Sequence, residues 1–319
     1  MRTAYLAWIA VCLIWGTTYL AIRIALETIP PALVGAIRYT LAGLILATVL
    51  HLRGERLPPR SYWGGLALVA ALMIVAGNGG VIWAEQWVPS GFAALLVASS
   101  PFWMASIEAL LPGGERLTLR VVGGLLIGFA GIVLLVSPDL TAGGAHGRQF
   151  ALGVVALQIA CLGWSLGSSY SRRHGREENA LGAAALQMIF GGVIMLVAAT
   201  VLGEWGRLTF TPRTFAAELY LLLIGSLVGY PAYVFALKYL PVSTVSLYAY
   251  INPVIAVVLG TILLDEPFGP RVILAATLVF LGSAVVRWSG AQKQKLGTQN
   301  ASQRSEFRDP GRTVPRVSR

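Results

Sequence analysis

Long apolar runs separated by short polar breaks dominate the chain. Runs of about twenty apolar residues fit the thickness of a bilayer core. The pattern predicts ten such spans, at about 4–22, 31–51, 62–84, 89–111, 119–137, 149–170, 180–202, 214–237, 241–264 and 269–288, with ends uncertain by a few residues. Prolines, glycines and charges bracket them: Pro30-Pro31, Pro58-Pro59, Pro112-Gly113-Gly114, Pro138, Pro212 and Pro267. The predicted fold class is an all-α integral membrane protein with ten transmembrane helices. No connection is long enough to hold a soluble domain.

Two spans break the apolar pattern in the same way. Residues 241–265 carry Ser243, Thr244, Ser246, Tyr248, Tyr250 and Asn252 in their first half, and then Pro253. A mid-helix proline has no N–H to donate and clashes with the carbonyl four residues back, here Ala249. In lipid, that carbonyl needs protein or water, so this half is expected to face a wet or protein-lined interior. Tyr248 and Asn252, four apart, share a face. Residues 89–115 repeat the design, with Pro89 and Pro101 spaced by 12, as are Pro241 and Pro253. Ser99 and Ser100 precede Pro101, and each stretch ends in an acidic turn, Gly114-Glu115-Arg116 or Asp265-Glu266-Pro267.

The likeness extends over both halves. Cys12 and Cys161, Trp15 and Trp164, and Arg38 and Gln187 are each 149 positions apart, while Gly131 and Gly282 are 151 apart. Five spans per copy is an odd number, so the second copy enters from the opposite side. That is an inverted-topology repeat, a transporter design whose site lies near midplane between the copies. The expected division is residues 1–141 for the first repeat, 142–289 for the second, and 290–319 for a polar, basic, disordered tail.

Composition agrees: 56% hydrophobic residues, 12% charged residues and a mean hydropathy of +0.71 describe a membrane protein. The net charge of +10 reflects topology and does not call for nucleic acid. With the N-terminus inside, inner connections carry ten basic residues and outer ones five, and eight more follow from Arg287 onward. The positive-inside rule then sets both termini in the cytoplasm. Met1-Arg2 leads into apolar sequence with no small-residue cleavage site, so an uncleaved first helix is expected. Two cysteines make no disulfide framework, and the three histidines show no metal-ligand spacing. No cofactor and no metal are expected.

Trp15-Gly16-Thr17-Thr18-Tyr19 with Arg23, then Pro30-Pro31 and Arg38-Tyr39, resembles the opening of the EamA domain of the drug/metabolite transporter superfamily. Gly77-Asn78-Gly79, Ala84-Glu85-Gln86 and Val88-Pro89-Ser90-Gly91 resemble its YedA-like branch, as do the six residues from Tyr248 to Pro253 with Leu259-Gly260-Thr261. The resemblance covers roughly residues 5–288. It implies two inverted five-helix EamA repeats in the bacterial inner membrane, exporting metabolites, with a cavity built from spans 1, 3, 4, 6, 8 and 9. Asp265 stands where this branch commonly has glycine, a departure expected to matter little.

The candidate substrate-binding residues are Trp15, Thr18, Asn78, Ser99, Trp164, Ser168, Tyr230, Tyr248 and Asn252. The tryptophans are either packed core or aromatic walls for a solute. Thr18 and Ser168 sit one turn past them and either back-bond to their own helix or face the solute. Asn78, between two glycines, meets a solute or a neighbouring helix. The candidate gating or coupling residues are Arg38, Glu85, Pro101 and Pro253. An intramembrane arginine costs roughly 2.5–3.5 kcal/mol on insertion scales. Arg38 therefore snorkels outward, pairs with Glu85, or binds a carboxylate. Glu85 and Glu108 are the acids that proton coupling would need; Glu108 reads as interfacial.

The expected function is secondary transport, exporting amino acids or related small metabolites by alternating access, with the bilayer and a small-molecule solute as partners. Efflux of drugs or toxic compounds is the alternative. A channel lacks the continuous polar stripe it would need, and a membrane enzyme lacks a cluster of catalytic residue types.

Overall fold

A computed structural model describes residues 2–110, 118–141, 144–174, 179–240, 245 and 248–285. The side chains of 108, 140, 141, 144 and 145 are not described, so the Glu108 reading falls outside it. So do the acidic turn at 114–116, the polar residues Ser243, Thr244 and Ser246, and the tail.

Every regular element among the described residues is helical. Eight helical stretches are long and apolar enough to cross a membrane: α1 (Arg2–Ala25), α2 (Pro31–Leu52), α3 (Arg60–Ala84), α4 (Ser90–Ile107), α5 (Leu119–Asp139), α6 (His146–His174), α7 (Ala180–Val201) and α8 (Pro212–Tyr239). Two apolar helices are shorter, α9 (Tyr248–Leu264) and α10 (Pro270–Val285). The starts follow local chemistry. Pro31 and Pro212 occupy first-turn positions, where a missing N–H costs nothing. Thr211 and Thr214 form a capping box at the start of α8.

Acidic side chains from distant connections close two further helix starts. Glu204 Oε2 accepts from Leu33 N at 3.0 Å in the first turn of α2. The Glu266 carboxylate accepts from Ser90 N at 2.7 Å and Gly91 N at 2.9 Å at the start of α4. Asp265 beside it holds φ at 52°, the left-handed region where glycine is at ease and aspartate is tolerated. Asp265 thus sits at a turn position that glycine would fill without strain, directly before the Glu266 that caps α4.

The helices pair in a regular way. The most extensive contact is α2 against α7; α1 packs on α8 and α9, while α6 packs on α3 and α4. Small residues let backbones meet. A Cβ on Gly43 of α2 would lie 2.7 Å from Ile189 N, and one on Gly192 of α7 would collide with Thr40 N. The two contacts run in opposite order along the helices, so α2 and α7 are antiparallel. Helices α5 and α10 repeat this: Gly131 meets Ala275 and Leu278, and Gly282 meets Gly124 and Gly128. Gly43 and Gly192 are 149 positions apart, the offset of the paired tryptophans.

Two matched helices carry widened turns at corresponding places. Residues Ala71–Gly79 of α3 and Leu221–Val228 of α8 are π-helical, with α-helix before and after each. π-Helical turns frequently mark functional sites. The prolines behave differently from expectation. Helix α4 breaks at Ala98-Ser99 and restarts at Ser100, so Pro101 is the second residue of a new helical segment. Pro253 lies inside a helix that runs unbroken over Tyr248–Leu264. The sequence predicts an interruption at both; the structure has it at Pro101 alone.

Candidate functional site

The α1, α2, α3, α4, α6 and α9 helices enclose a central cavity of about 60 Å³. Trp15, Thr18, Tyr19 and Ile22 line it from α1, Arg38 from α2, and Gly77, Asn78 and Val81 from α3. Val97 and Ser100 of α4, Ala160, Cys161 and Trp164 of α6, and Tyr248 and Asn252 of α9 complete the wall. The volume holds a few waters; a drug-sized ligand needs several hundred Å³. The cavity is thus small for such a ligand.

A cluster of four aromatic rings lies at one end of it, three of them in its wall. Trp15 meets Trp164 edge to face at 5.4 Å between ring centroids, and Tyr248 at 5.3 Å. Tyr233 of α8 lies 5.0 Å from Trp15, 5.1 Å from Trp164 and 5.9 Å from Tyr248. Such pairs add about 0.5–1.5 kcal/mol each beyond area burial. The Trp15 indole N–H donates to the Gly225 carbonyl, in the π-helical turn of α8, at 3.4 Å. A Cβ on Gly77, in the π-helical turn of α3, would touch Trp164 Cε3 at 3.2 Å. Each tryptophan thus rests on a widened turn.

Beyond the rings lies a second hollow of about 220 Å³, lined by Tyr233, Arg172, Lys238, Gln187, Ser171 and Met73 among others. Tyr233 belongs to both the ring cluster and this hollow. The second hollow sits toward the face where α1 begins, since Trp8 bonds Val245 O just past the end of α8. Tyr19, Ile22 and Arg38 lie on the other side of the rings.

The polar groups of the wall are mostly held. Thr18 Oγ1 donates back to Trp15 O at 2.8 Å. Asn78 Nδ2 donates to Met73 O, five residues back in the π-helical turn, at 3.2 Å. With its amide nitrogen turned toward α1, Asn252 donates to Tyr248 O at 3.1 Å and Cys12 O at 2.9 Å.

Arg38 is 2% exposed and does not snorkel. Nε donates to Ser226 Oγ at 2.9 Å and Nη2 to Tyr39 Oη at 3.0 Å, while the Tyr39 ring lies under the guanidinium at 4.5 Å. It makes no ion pair with Glu85 among the described residues: Glu85 is fully buried, and neither of its carboxylate oxygens has a hydrogen-bond partner. Arg23 Nη1 instead bonds the Glu85 backbone carbonyl. Glu218 of α8, not singled out in the sequence, is also buried with both oxygens unpartnered and has Arg38 in its electrostatic surroundings.

Several sequence-selected residues lie off the cavity. Ser99 is fully buried and donates back to Leu96 O at 2.6 Å; its neighbour Ser100 lines the wall instead. Ser168 sits beneath the rings, 3.3 Å from Tyr233 Oη. Tyr230 turns the other way, donating to Gln187 Oε1 at 2.8 Å. Span eight, expected in the wall, reaches the cavity region through Tyr233 in the ring cluster, whereas α2 enters the wall through Arg38. Hydrophobic patterning could not have found this, because Arg38 is one polar residue in an apolar helix face. The π-helical turn at Gly77-Asn78-Gly79 is likewise invisible to a 3.6-residue period.

The EamA-like transporter family model matches residues 2–137 and again 151–288. The chain is 36% identical over 283 residues to the "Uncharacterized inner membrane transporter YedA" of Escherichia coli (strain K12), covering 86% of this chain and 89% of that protein. It is 25% identical to the "Uncharacterized transporter YvbV" of Bacillus subtilis (strain 168), covering 92% and 94%. A solved crystal structure shares the fold at a TM-score of 0.63 and 22% identity, covering 89% of this chain and 96% of the other. The chain belongs to the EamA-like transporter family.

Proposed function

We propose that this is a secondary transporter of the bacterial inner membrane that exports amino acids or related small metabolites by alternating access. Ten helices cross the bilayer as two inverted repeats, residues 1–141 and 142–289, with both termini cytoplasmic. The antiparallel glycine seams support the inversion: helices holding equivalent sequence positions run in opposite directions. The basic asymmetry of the connections supports the orientation. The likeness to YedA, an inner membrane transporter by name, supports the membrane and the activity class.

One observation carries the reading. A small cavity lies between the halves, shared by matched tryptophans and separated from a second hollow by a cluster of aromatic rings. A carrier needs a site that is shut off from one side while solute is held. The cavity's small size favours a metabolite over a bulky drug. Proton coupling, if present, has Glu85 and Glu218 as its buried acids.

A thermal-shift screen of purified protein tests this. A solute at about 100 times its dissociation constant stabilises by about 2.7 kcal/mol. Small metabolites should raise the melting temperature, and Trp164→Ala should abolish the rise. A rise unaffected by changes to Trp15, Trp164 and Asn252 would move the site elsewhere.

A further inference from the structure

We propose that Arg38 is the receptor for a carboxylate on the transported solute. This deepens the carrier reading and rests on it for the claim that the solute moves. Arg38 lines the central cavity and is buried, and its Nη1 has no hydrogen-bond partner. Its other edge is fixed by Ser226 and Tyr39, both neutral groups, and the Tyr39 ring holds its plane. A buried cation without a contacting anion is costly, and arginine prefers to meet a carboxylate through two parallel bonds. Two buried acids, Glu85 and Glu218, act on Arg38 through space, but neither hydrogen-bonds Nη1.

The rest of the cavity says what the carboxylate is attached to. Trp15, Trp164 and Tyr248 line it with aromatic side chains that suit an apolar body, and the amide of Asn252 borders the same space. The geometry therefore assigns the solute class as a small carboxylate with an apolar body, with or without an amino group.

The test uses purified full-length protein and matched probe sets: the twenty amino acids, their decarboxylated amines and their deaminated acids. Thermal shift and isothermal titration read binding. Carboxylate-bearing probes should bind, and each should bind at least tenfold better than its decarboxylated amine. Arg38→Gln should abolish that preference and Arg38→Lys should retain part of it. Ser226→Ala, which frees only the Nε edge, should weaken carboxylate binding several-fold. Monodisperse elution reports folding; if Arg38→Gln does not fold, Arg38→Lys and Ser226→Ala decide. Amines that bind as well as their parent acids, carboxylates that bind equally well to folded Arg38 variants, or no carboxylate binding at all would overturn the assignment. Saturable amine flux in proteoliposomes without carboxylate binding would leave the carrier standing and remove the Arg38 role. Arg38-dependent carboxylate binding without any flux would do the reverse.

Discussion

Trp15 and Trp164 meet edge to face at the centre of the molecule, with ring centroids 5.4 Å apart, although 149 positions separate them in the chain. Each indole is supported by a π-helical turn: Gly225 accepts the Trp15 N–H, and Gly77 gives Trp164 its room. A side chain at 77 must push the Trp164 ring toward a cavity of only about 60 Å³. Gly77→Val is therefore expected to reduce solute affinity tenfold or more while the protein still elutes as a folded species. Unchanged affinity, measured by titration calorimetry, would mean that the ring does not bound the solute.

Asn252 and Ser99 were both read from the sequence as binding residues, and the structure separates them. Asn252 lines the cavity; Ser99 is turned into its own helix. Losing one buried hydrogen bond costs about 0.5–1.5 kcal/mol. Asn252→Ala should weaken apparent affinity by a factor of about 2 to 12, and Ser99→Ala should change it little. The reverse order in a transport assay would put the solute on the α4 side of Ser99 instead.

Much of this was legible in the chain. Trp15, Trp164, Tyr248 and Asn252 were grouped from repeat spacing and one shared helix face, and they line one cavity. Serine and threonine positions do not show their facing in the sequence, because a hydroxyl in an apolar helix has its own backbone carbonyl within reach, as Ser99 and Thr18 show. Glu218 lies only four residues past the start of its expected span, 214–237, where an acid reads as interfacial. The cap from Glu266 to Ser90 and Gly91 joins positions about 175 residues apart, and no local pattern reports such a bond.

The two prolines should not be equivalent. Pro101 stands at a break in α4, and Pro253 inside continuous helix. Pro101→Ala would let the two segments of α4 join and is expected to slow turnover several-fold with membrane insertion intact. Pro253→Ala should have the smaller effect on rate. Transport rates in vesicles, normalised to inserted protein, decide it; equal and unimpaired rates would remove any hinge at Pro101.

Glu204 gives a pH dependence outside the membrane spans. Burial pushes its carboxyl above the usual carboxylate range, against the stabilising pull of the Leu33 N–H. A raised folded pKa favours the fold while the group is protonated. The contribution is complete below the unfolded value of about 4.3 and is lost as pH rises through the folded value. Glu204→Gln keeps an acceptor for Leu33 and cannot ionise. Its stability relative to the wild type should therefore improve as pH rises from about 4 toward 7, as read from melting temperatures at fixed ionic strength. A difference independent of pH would contradict the burial argument.

The central claim is that the cavity between the halves is a carrier site reached from one side at a time. Counterflow in proteoliposomes tests it most directly. Vesicles are loaded with a high concentration of unlabelled solute identified by the thermal-shift screen and diluted into trace labelled solute. A carrier should accumulate label transiently above equilibrium, with saturable initial rates, and Trp15→Ala and Trp164→Ala should abolish the overshoot. Flux that rises linearly with concentration, shows no overshoot and passes ion current would contradict the account.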